Sequence, residues 1–229
     1  MLSSPYQKQL DELLKNLAIT KKDGQTKPTL LLHACCGPCS SYVLEYLSQY
    51  FAITVFYYNP NIYPQEEYNR RLSELKTFYT KFAPAANVRV VEEVYNPEDF
   101  YTAIQIHEHP ERATEPEKGE RCRLCYKFRL QKAYEYAAAH NYDYYCTTLS
   151  ISPFKDAEKI NVLGTEIAEN QQGAGTDQQV ASSDQSTSPR WLPSDFKKQG
   201  GFQRSLKLSS EYGLYRQQYC GCIYSIRNE

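Results

Sequence analysis

Thr29-Leu-Leu-Leu-His33-Ala-Cys-Cys-Gly-Pro-Cys39-Ser-Ser-Tyr-Val-Leu-Glu-Tyr-Leu47 changes its hydrophobic period partway along, and that change decides the fold. Residues 29–33 are a short unbroken apolar run, the pattern of a buried strand. The run breaks at Ala34–Pro38. Beyond the break Val43, Leu44 and Leu47 fall on one face of a helix. The same alternation continues outward. Upstream, Leu10, Leu13, Leu14 and Leu17 recur at helical spacing and predict a helix over 6–17. Downstream, 52–58 predicts a second strand, ending in Asn59-Pro60-Asn61. A helix follows over 64–82 with Leu72, Leu75, Phe78 and Tyr79 inward, then a third strand at 88–91. Pro97 opens another helix, since proline is tolerated in a first turn. A polar loop at 107–120 leads into a long helix over 121–140. A fourth strand is expected at 143–149, a helix at 155–169 and a last helix at 201–212, closed by Gly213 as a C-cap.

Strands that alternate with helices imply a parallel, Rossmann-like sheet with helices on both faces. Ligands of such sheets bind beyond the carboxyl ends of the strands. That rule places the loops 34–39, 59–64 and 150–154 on the functional edge. With 229 residues the chain is long enough for one α/β domain with a true core. We expect an N-terminal helix and linker over 1–26 and a single α/β catalytic domain over 27–229. Residues 171–189 are Gln, Gly, Ser, Thr, Ala and Asp with a single large aliphatic, Val180, and are expected to form a mobile insert. The domain ends in a Cys-Gly-Cys segment.

Net charge is close to zero, so no global electrostatic partner is implied. Charge is uneven locally. Residues 121–132 carry Arg121, Arg123, Lys127, Arg129 and Lys132 without an acid, which a solvated helix face or a phosphate-binding surface would both explain. Most of the many tyrosines read as half-buried packing residues with a wet hydroxyl. No stretch resembles a signal peptide and none reaches membrane length. The expected location is the cytoplasm, where thiols stay reduced, and eight cysteines there suggest metal or redox chemistry over cross-links.

Seven of the cysteines form three groups: Cys35-Cys36-Gly-Pro-Cys39 at a strand-to-helix turn, Cys122-x-x-Cys125 entering a helix, and Cys220-Gly-Cys222 after the last helix. Cys146 sits alone in a strand and reads as a small buried hydrophobe. One Cys-x-x-Cys fits half a zinc site, a dithiol or part of a cluster site. Adjacent residues of an extended segment point to opposite sides, which makes Cys35 and Cys36 an awkward pair for one tetrahedral zinc. A multi-iron cluster has corners in several directions, and Cys35, Cys36, Cys122 and Cys125 supply the four thiolates of a [4Fe–4S] cluster. A zinc site and unliganded thiols remain the other readings. Cys220 and Cys222 face the same way around a permissive glycine, suiting a strained, readily reduced disulfide or a two-point grip on one ion. A phosphate-binding turn at 34–39 would need exposed glycine amides. This turn has one glycine, loses an amide at Pro38 and puts thiols where phosphate would lie, which disfavours ATP.

Several blocks together resemble the QueH family of epoxyqueuosine reductases. They are His33-Ala-Cys-Cys-Gly-Pro-Cys-Ser40, Tyr58-Asn-Pro-Asn-Ile62, Gly119-Glu-Arg-Cys-Arg-Leu-Cys-Tyr126, Thr147-Thr-Leu149, Ser152-Pro153, Asp195-Phe-Lys-Lys-Gln-Gly-Gly-Phe-Gln-Arg-Ser205, and Tyr212-Gly-Leu-Tyr-Arg-Gln-Gln-Tyr-Cys-Gly-Cys-Ile-Tyr-Ser225. The resemblance runs from about residue 27 to 226. It implies a fold of the nucleotide α-hydrolase type without an ATP loop. It also implies an iron–sulfur oxidoreductase that removes the epoxide oxygen of epoxyqueuosine in tRNA, the last step of queuosine biosynthesis. The implied cofactors are a [4Fe–4S] cluster on Cys35, Cys36, Cys122 and Cys125 and an additional iron ion. Cys39 lies where some relatives have aspartate, which makes it a candidate metal ligand. Cys220 and Cys222 match a C-terminal motif assigned either to a redox-active disulfide or to the second metal.

That chemistry needs two electrons, two protons and a group that loosens a C–O bond. An external electron donor is required. Tyr58, Tyr219, His33 or a water are the proton donors to weigh. Arg121, Arg123, Lys197, Lys198 and Arg204 are expected to hold tRNA phosphates, and Asn59 and Asn61 to hydrogen-bond the extruded base. Two other classes compete: a zinc-stabilised RNA-binding protein without catalysis, and a cluster-dependent tRNA sulfur transferase, which would need the ATP turn this chain lacks.

Overall fold

The computed structural model describes residues 4–20, 26–173 and 188–226. The apolar run of the opening motif is the middle of the sheet. Strand β1 (Thr29–His33) lies between β2 (Ala52–Tyr57) and β4 (Tyr144–Thr147), with β3 (Arg89–Glu92) and β5 (Arg190–Trp191) at the edges, in the order β3-β2-β1-β4-β5. All four pairings are parallel. A central parallel strand is buried on both faces, which is why Leu30, Leu31 and Leu32 follow one another without alternation and are fully buried, as is His33 after them.

Successive residues of β1 serve opposite layers. Leu30 and Leu32 pack with α1 (Pro5–Thr20), α2 (Gly37–Leu47), α3 (Gln65–Tyr79) and α7 (Gly201–Glu211). Leu31 packs on the other face with α5 (Glu120–Ala139) and α6 (Ala157–Gly173). Each fully buried leucine contributes about 1.5–3 kcal/mol. A short α4 (Pro97–Ala103) adds a third cluster, where Phe100 and Ile104 meet Cys125 and Cys222. Asn96 caps α4 by accepting from the Glu98 amide at 3.3 Å.

The predicted elements lie close to their expected positions, with differences that have local causes. Strand β4 stops at Thr147, where the Thr147 hydroxyl accepts from the Leu149 amide and turns Thr148–Ile151 into a 3-10 helix. That turn delivers residues 150–155 to the carboxyl edge. Strand β5 was not predicted. It pairs through two residues only, and is held by Asn161 of α6, whose carbonyl accepts from Trp191 Nε1 at 3.1 Å and the Ser194 amide at 2.9 Å. Gly164 makes room for Trp191: a Cβ there would stand 2.3 Å from the indole. Gly213 has φ +60 and ends α7 as expected. Of the expected insert at 171–189, residues 171–173 complete α6 and 174–187 lie outside the described residues. No helix among the described residues is long and apolar enough to cross a membrane.

Candidate metal centre

The site is built where three chain segments meet beyond the carboxyl end of β1. The first is the turn into α2. The Ala34 amide still pairs with Phe56 O at 3.0 Å, Cys36 takes the N-cap position of α2, and Cys39 lies in the first turn. Cys35 Sγ and Cys36 Sγ are 3.9 Å apart. All three sulfurs of Cys35, Cys36 and Cys39 lie within 4.8 Å of one another. This corrects the expectation that adjacent thiols diverge. The chain bends at Cys36 from extended strand into helix, so the two side chains are no longer neighbours in one strand and Cys39 comes round beside them. The three thiols share charge. Hydrogen bonds from the Cys36 and Cys39 thiols, helped by Arg129 and Arg71, hold Cys35 well below the ordinary thiol value. The same hydrogen bonding with Cys35 pushes Cys36 up to about 12 and Cys39 well up. Of the three, Cys35 is the one whose thiolate form is favoured, at the positive end of α2.

The second segment is the start of α5, where Cys122 and Cys125 are three residues apart on one helical face and both buried. Cys122 shares an apolar cluster with Cys35 and Cys36. The third is the C-terminal segment. Gly221 sits at φ +110, where a Cβ would meet Ile62 Cγ1 at 2.9 Å and Arg71 Nη1 at 3.0 Å. Its carbonyl accepts from the Tyr63 amide at 2.8 Å, and Arg71 Nη1 donates to Cys220 O at 3.2 Å. Glycine there lets Cys220 and Cys222 dock on the loop after β2. All eight cysteines are free, and Cys220 and Cys222 are not bridged. Hydrogen bonding with Cys222, then Lys155, holds Cys220 well below the ordinary value, while Cys222 is raised in turn. Cys146 is fully buried in β4, its thiol against Leu192 O at 3.3 Å.

Two cavities join these segments. A cavity of about 160 Å³ is lined by Cys35, Cys39 and Cys220 together with Leu149, Ile151, Phe154, Lys155, Phe202 and the amides of Gln217 and Gln218. A smaller one, about 20 Å³, is lined by Cys122, Cys125, Cys220 and Cys222 with Asn61, Tyr126, Arg129 and Lys155. Asn61 Oδ1 and the Tyr126 hydroxyl at that smaller cavity are buried without a hydrogen-bond partner.

Three buried cations were missed from sequence. Arg129 is 3 % exposed; it donates to Asn59 Oδ1 at 2.5 Å and to His33 Nε2 at 3.3 Å. Arg71 is bidden by Glu67 at 2.7 Å and by the carbonyls of the Cys-Gly-Cys segment. Lys155 is 8 % exposed. Neither Arg129 nor Lys155 has a carboxylate partner among the described residues. Burial opposes charge on Lys155, yet the thiols, Cys220 foremost, outweigh it and hold its pKa above the usual lysine value. A buried cation without a carboxylate is costly unless an anion compensates it. The thiols nearest these cations are candidate counter-charges, and Cys35, Cys36 and Cys39 lie close enough together to hold a metal ion.

The remaining candidates fare unequally. Burial, then Arg129, pushes His33 down to about 3, so its imidazole is neutral; its Nδ1 lies 2.8 Å from Thr147 Oγ1, and its Nε2 lies 3.2 Å from Tyr58 O and 3.3 Å from Arg129 Nε. Tyr58 donates to Asp99 at 3.0 Å and burial raises its pKa. Tyr219 donates to Tyr63 O, and lines the larger cavity. Asn59 is spent on Ala34 O and Arg129. Arg121 is 2 % exposed, points inward to the carbonyls of Arg112 and Ala113, and is no phosphate ligand. Arg123 pairs with Glu120 at 2.6 Å, Lys197 with Asp195 at 2.7 Å, and Arg204 with Glu45. Lys198 has no ion pair among the described residues.

Fold and site together define a Rossmann-like α/β protein with a buried polythiol centre at the carboxyl edge of its sheet. The sequence profile of the family described as epoxyqueuosine reductase QueH matches residues 30–228, and the chain belongs to that family. Proteins named epoxyqueuosine reductase QueH are similar along most of it. That of Streptococcus pyogenes serotype M1 is 37% identical over 227 residues, covering 98% of this chain and 81% of that protein. That of Staphylococcus epidermidis is 36% identical over 215 residues, covering 93% and 82%. That of Thermotoga maritima is 30% identical over 204 residues, covering 86% and 90%.

Proposed function

We propose that this chain is an epoxyqueuosine reductase, an oxidoreductase that removes the epoxide oxygen of epoxyqueuosine in tRNA to leave queuosine. The observation that carries the reading is the polythiol centre with its uncompensated buried cations, open to a largely apolar cavity, in a chain of this family. We assign the [4Fe–4S] cluster to Cys35, Cys36, Cys122 and Cys125. When bound, such a cluster supplies single electrons at low potential.

The chain's own residues do the rest. Arg129 balances thiolate charge. The positive ends of α2 and α5 face the same thiols. The larger cavity takes the modified base between Phe154 and Phe202, with the amides of Gln217 and Gln218 for its polar edge. Cys39, Cys220 and Cys222 are the thiols left over by the cluster, and with Asn61 Oδ1 they fit an additional iron ion. Cys220 and Cys222 alternatively act as a dithiol that cycles through a disulfide. An external donor supplies the electrons, and a tRNA substrate together with reduced thiols fits a cytoplasmic enzyme. The zinc-stabilised RNA-binding alternative has one observation in its favour, the close Cys35, Cys36 and Cys39 trio, which matches the spacing of ligands on a single ion.

Anaerobic purification followed by iron, sulfide and zinc analysis separates the two. The proposal expects a brown protein with about four irons and four sulfides per chain or slightly more iron. A colourless protein with stoichiometric zinc and no sulfide would overturn it.

A further inference from the structure

Lys155 is the buried charge for which the cluster alone gives no complete account. It follows the Thr148–Ile151 turn, just before α6. It lines both cavities at once: with Cys35, Cys39 and Cys220 in the larger, and with Cys122, Cys125, Cys220 and Cys222 in the smaller. Arg129, by contrast, lines only the smaller cavity and is already engaged by Asn59 and His33. The Lys155 ammonium makes no hydrogen bond or ion pair to a protein oxygen among the described residues. Its three donors are therefore open to whatever enters. The larger cavity is also lined by Leu149, Ile151, Phe154 and Phe202 and by Glu117 and Arg216; Arg216 already donates to Ser209 Oγ at 3.1 Å, so Lys155 is the cation there whose donors meet no protein oxygen among the described residues.

We propose that Lys155 is a catalytic residue whose Nζ donates a hydrogen bond to the epoxide oxygen of the bound substrate and holds that oxygen as its bonds to carbon open. This rests on the function proposed above. In the overall step both C–O bonds break and a C=C bond forms. Two electrons come from the external donor, and the oxygen leaves as water with two protons drawn from solvent. Negative charge builds on the oxygen while the first bond opens, and a fixed ammonium in a water-poor cavity stabilises it there more than it stabilises the ground state.

The test compares the iron-loaded wild type with Lys155→Met and Lys155→Arg. The oxidised, resting proteins are titrated with two anticodon stem-loops, one carrying epoxyqueuosine and one carrying queuosine, which lacks the accepting oxygen. The wild type should prefer the epoxide by about 10-fold. Lys155→Met should lose that preference, keep its iron and sulfide, and turn over about 100-fold more slowly. Lys155→Arg should recover part of both. A preference that survives Lys155→Met overturns the contact, whatever the rate does. Loss of iron in Lys155→Met overturns it too, since Lys155 would then serve the metal group alone. A wild type that holds iron and binds both stem-loops yet never converts the epoxide would refute the proposed function instead.

Discussion

Replacing Gly221 by alanine tests how the C-terminal thiols reach the site. At φ +110 an L-residue pays about 1–3 kcal/mol of backbone strain. The added Cβ would also stand 2.9 Å from Ile62 Cγ1 and 3.0 Å from Arg71 Nη1. Ile62 is fully buried and Arg71 is held by Glu67, so neither can withdraw freely, and overpacking adds about 1–3 kcal/mol. Reduced unfolded-state entropy returns about 0.4–1 kcal/mol. Around the middle of these ranges the net is about 2–4 kcal/mol. The segment around Gly221 is attached by Tyr63 N to Gly221 O, by Arg71 to the carbonyls of Cys220 and Tyr219 and by the Tyr219 hydroxyl to Tyr63 O, and belongs to no strand or long helix, so the strain should release it locally and leave the sheet folded. A local opening made easier by 2–4 kcal/mol is roughly 30- to 1,000-fold more populated. The assay is the rate of thiol labelling at Cys220 and Cys222 in reduced, metal-free protein, read by peptide mass, with Cys146 as the buried internal reference. Gly213→Ala is the control, because Gly213 also has positive φ but nothing within 4 Å of a Cβ, and it should leave labelling near wild type. Equal labelling of Gly221→Ala and wild type would refute the docking described here.

Other consequences follow from the same geometry. Cys122→Ala should lose most iron and sulfide on anaerobic loading, whereas Cys220→Ala and Cys222→Ala should keep the cluster and tRNA binding but fail in turnover; metal analysis beside an activity assay reads both. Arg129→Met leaves Asn59 Oδ1 buried without its donor and should cost about 1–3 kcal/mol, seen as a melting temperature lowered by several degrees, and should weaken iron retention; unchanged melting would contradict the buried network. Gly164→Ala drives a methyl into Trp191, itself packed on Tyr145 at 5.0 Å, and should lower stability by about 1–3 kcal/mol in denaturant titration while sparing metal content.

The centre of the sheet was legible because β1 and β2 are short, largely apolar runs and the helix between them carries its own period. The run 29–33 coincides with β1, and Pro97 does open α4. Strand β5 was hidden because Arg190–Trp191 has no period of its own; Asn161, far away in sequence, makes it a strand by bonding Trp191 and Ser194. The cysteine groups were legible from spacing, since turns and helix starts fix where such thiols emerge. Their cations were not. Arg121 and Arg129 looked like part of a basic surface, and both are buried, Arg121 on local carbonyls and Arg129 beside thiols brought from residues 35 and 125. Lys155 carries no pattern in the chain at all; only the fold sets it between two cavities. A lone cation becomes informative when its counter-charge is known, and here that charge comes from remote segments.

The proposed reaction of this polythiol centre is reduction of an epoxide in tRNA. Its most direct test is nucleoside mass analysis after anaerobic incubation of the iron-loaded protein with epoxyqueuosine-bearing tRNA and a low-potential reductant. The account predicts a nucleoside lighter by one oxygen atom that coincides with queuosine. Unchanged epoxyqueuosine, with iron loaded and tRNA bound, would contradict it.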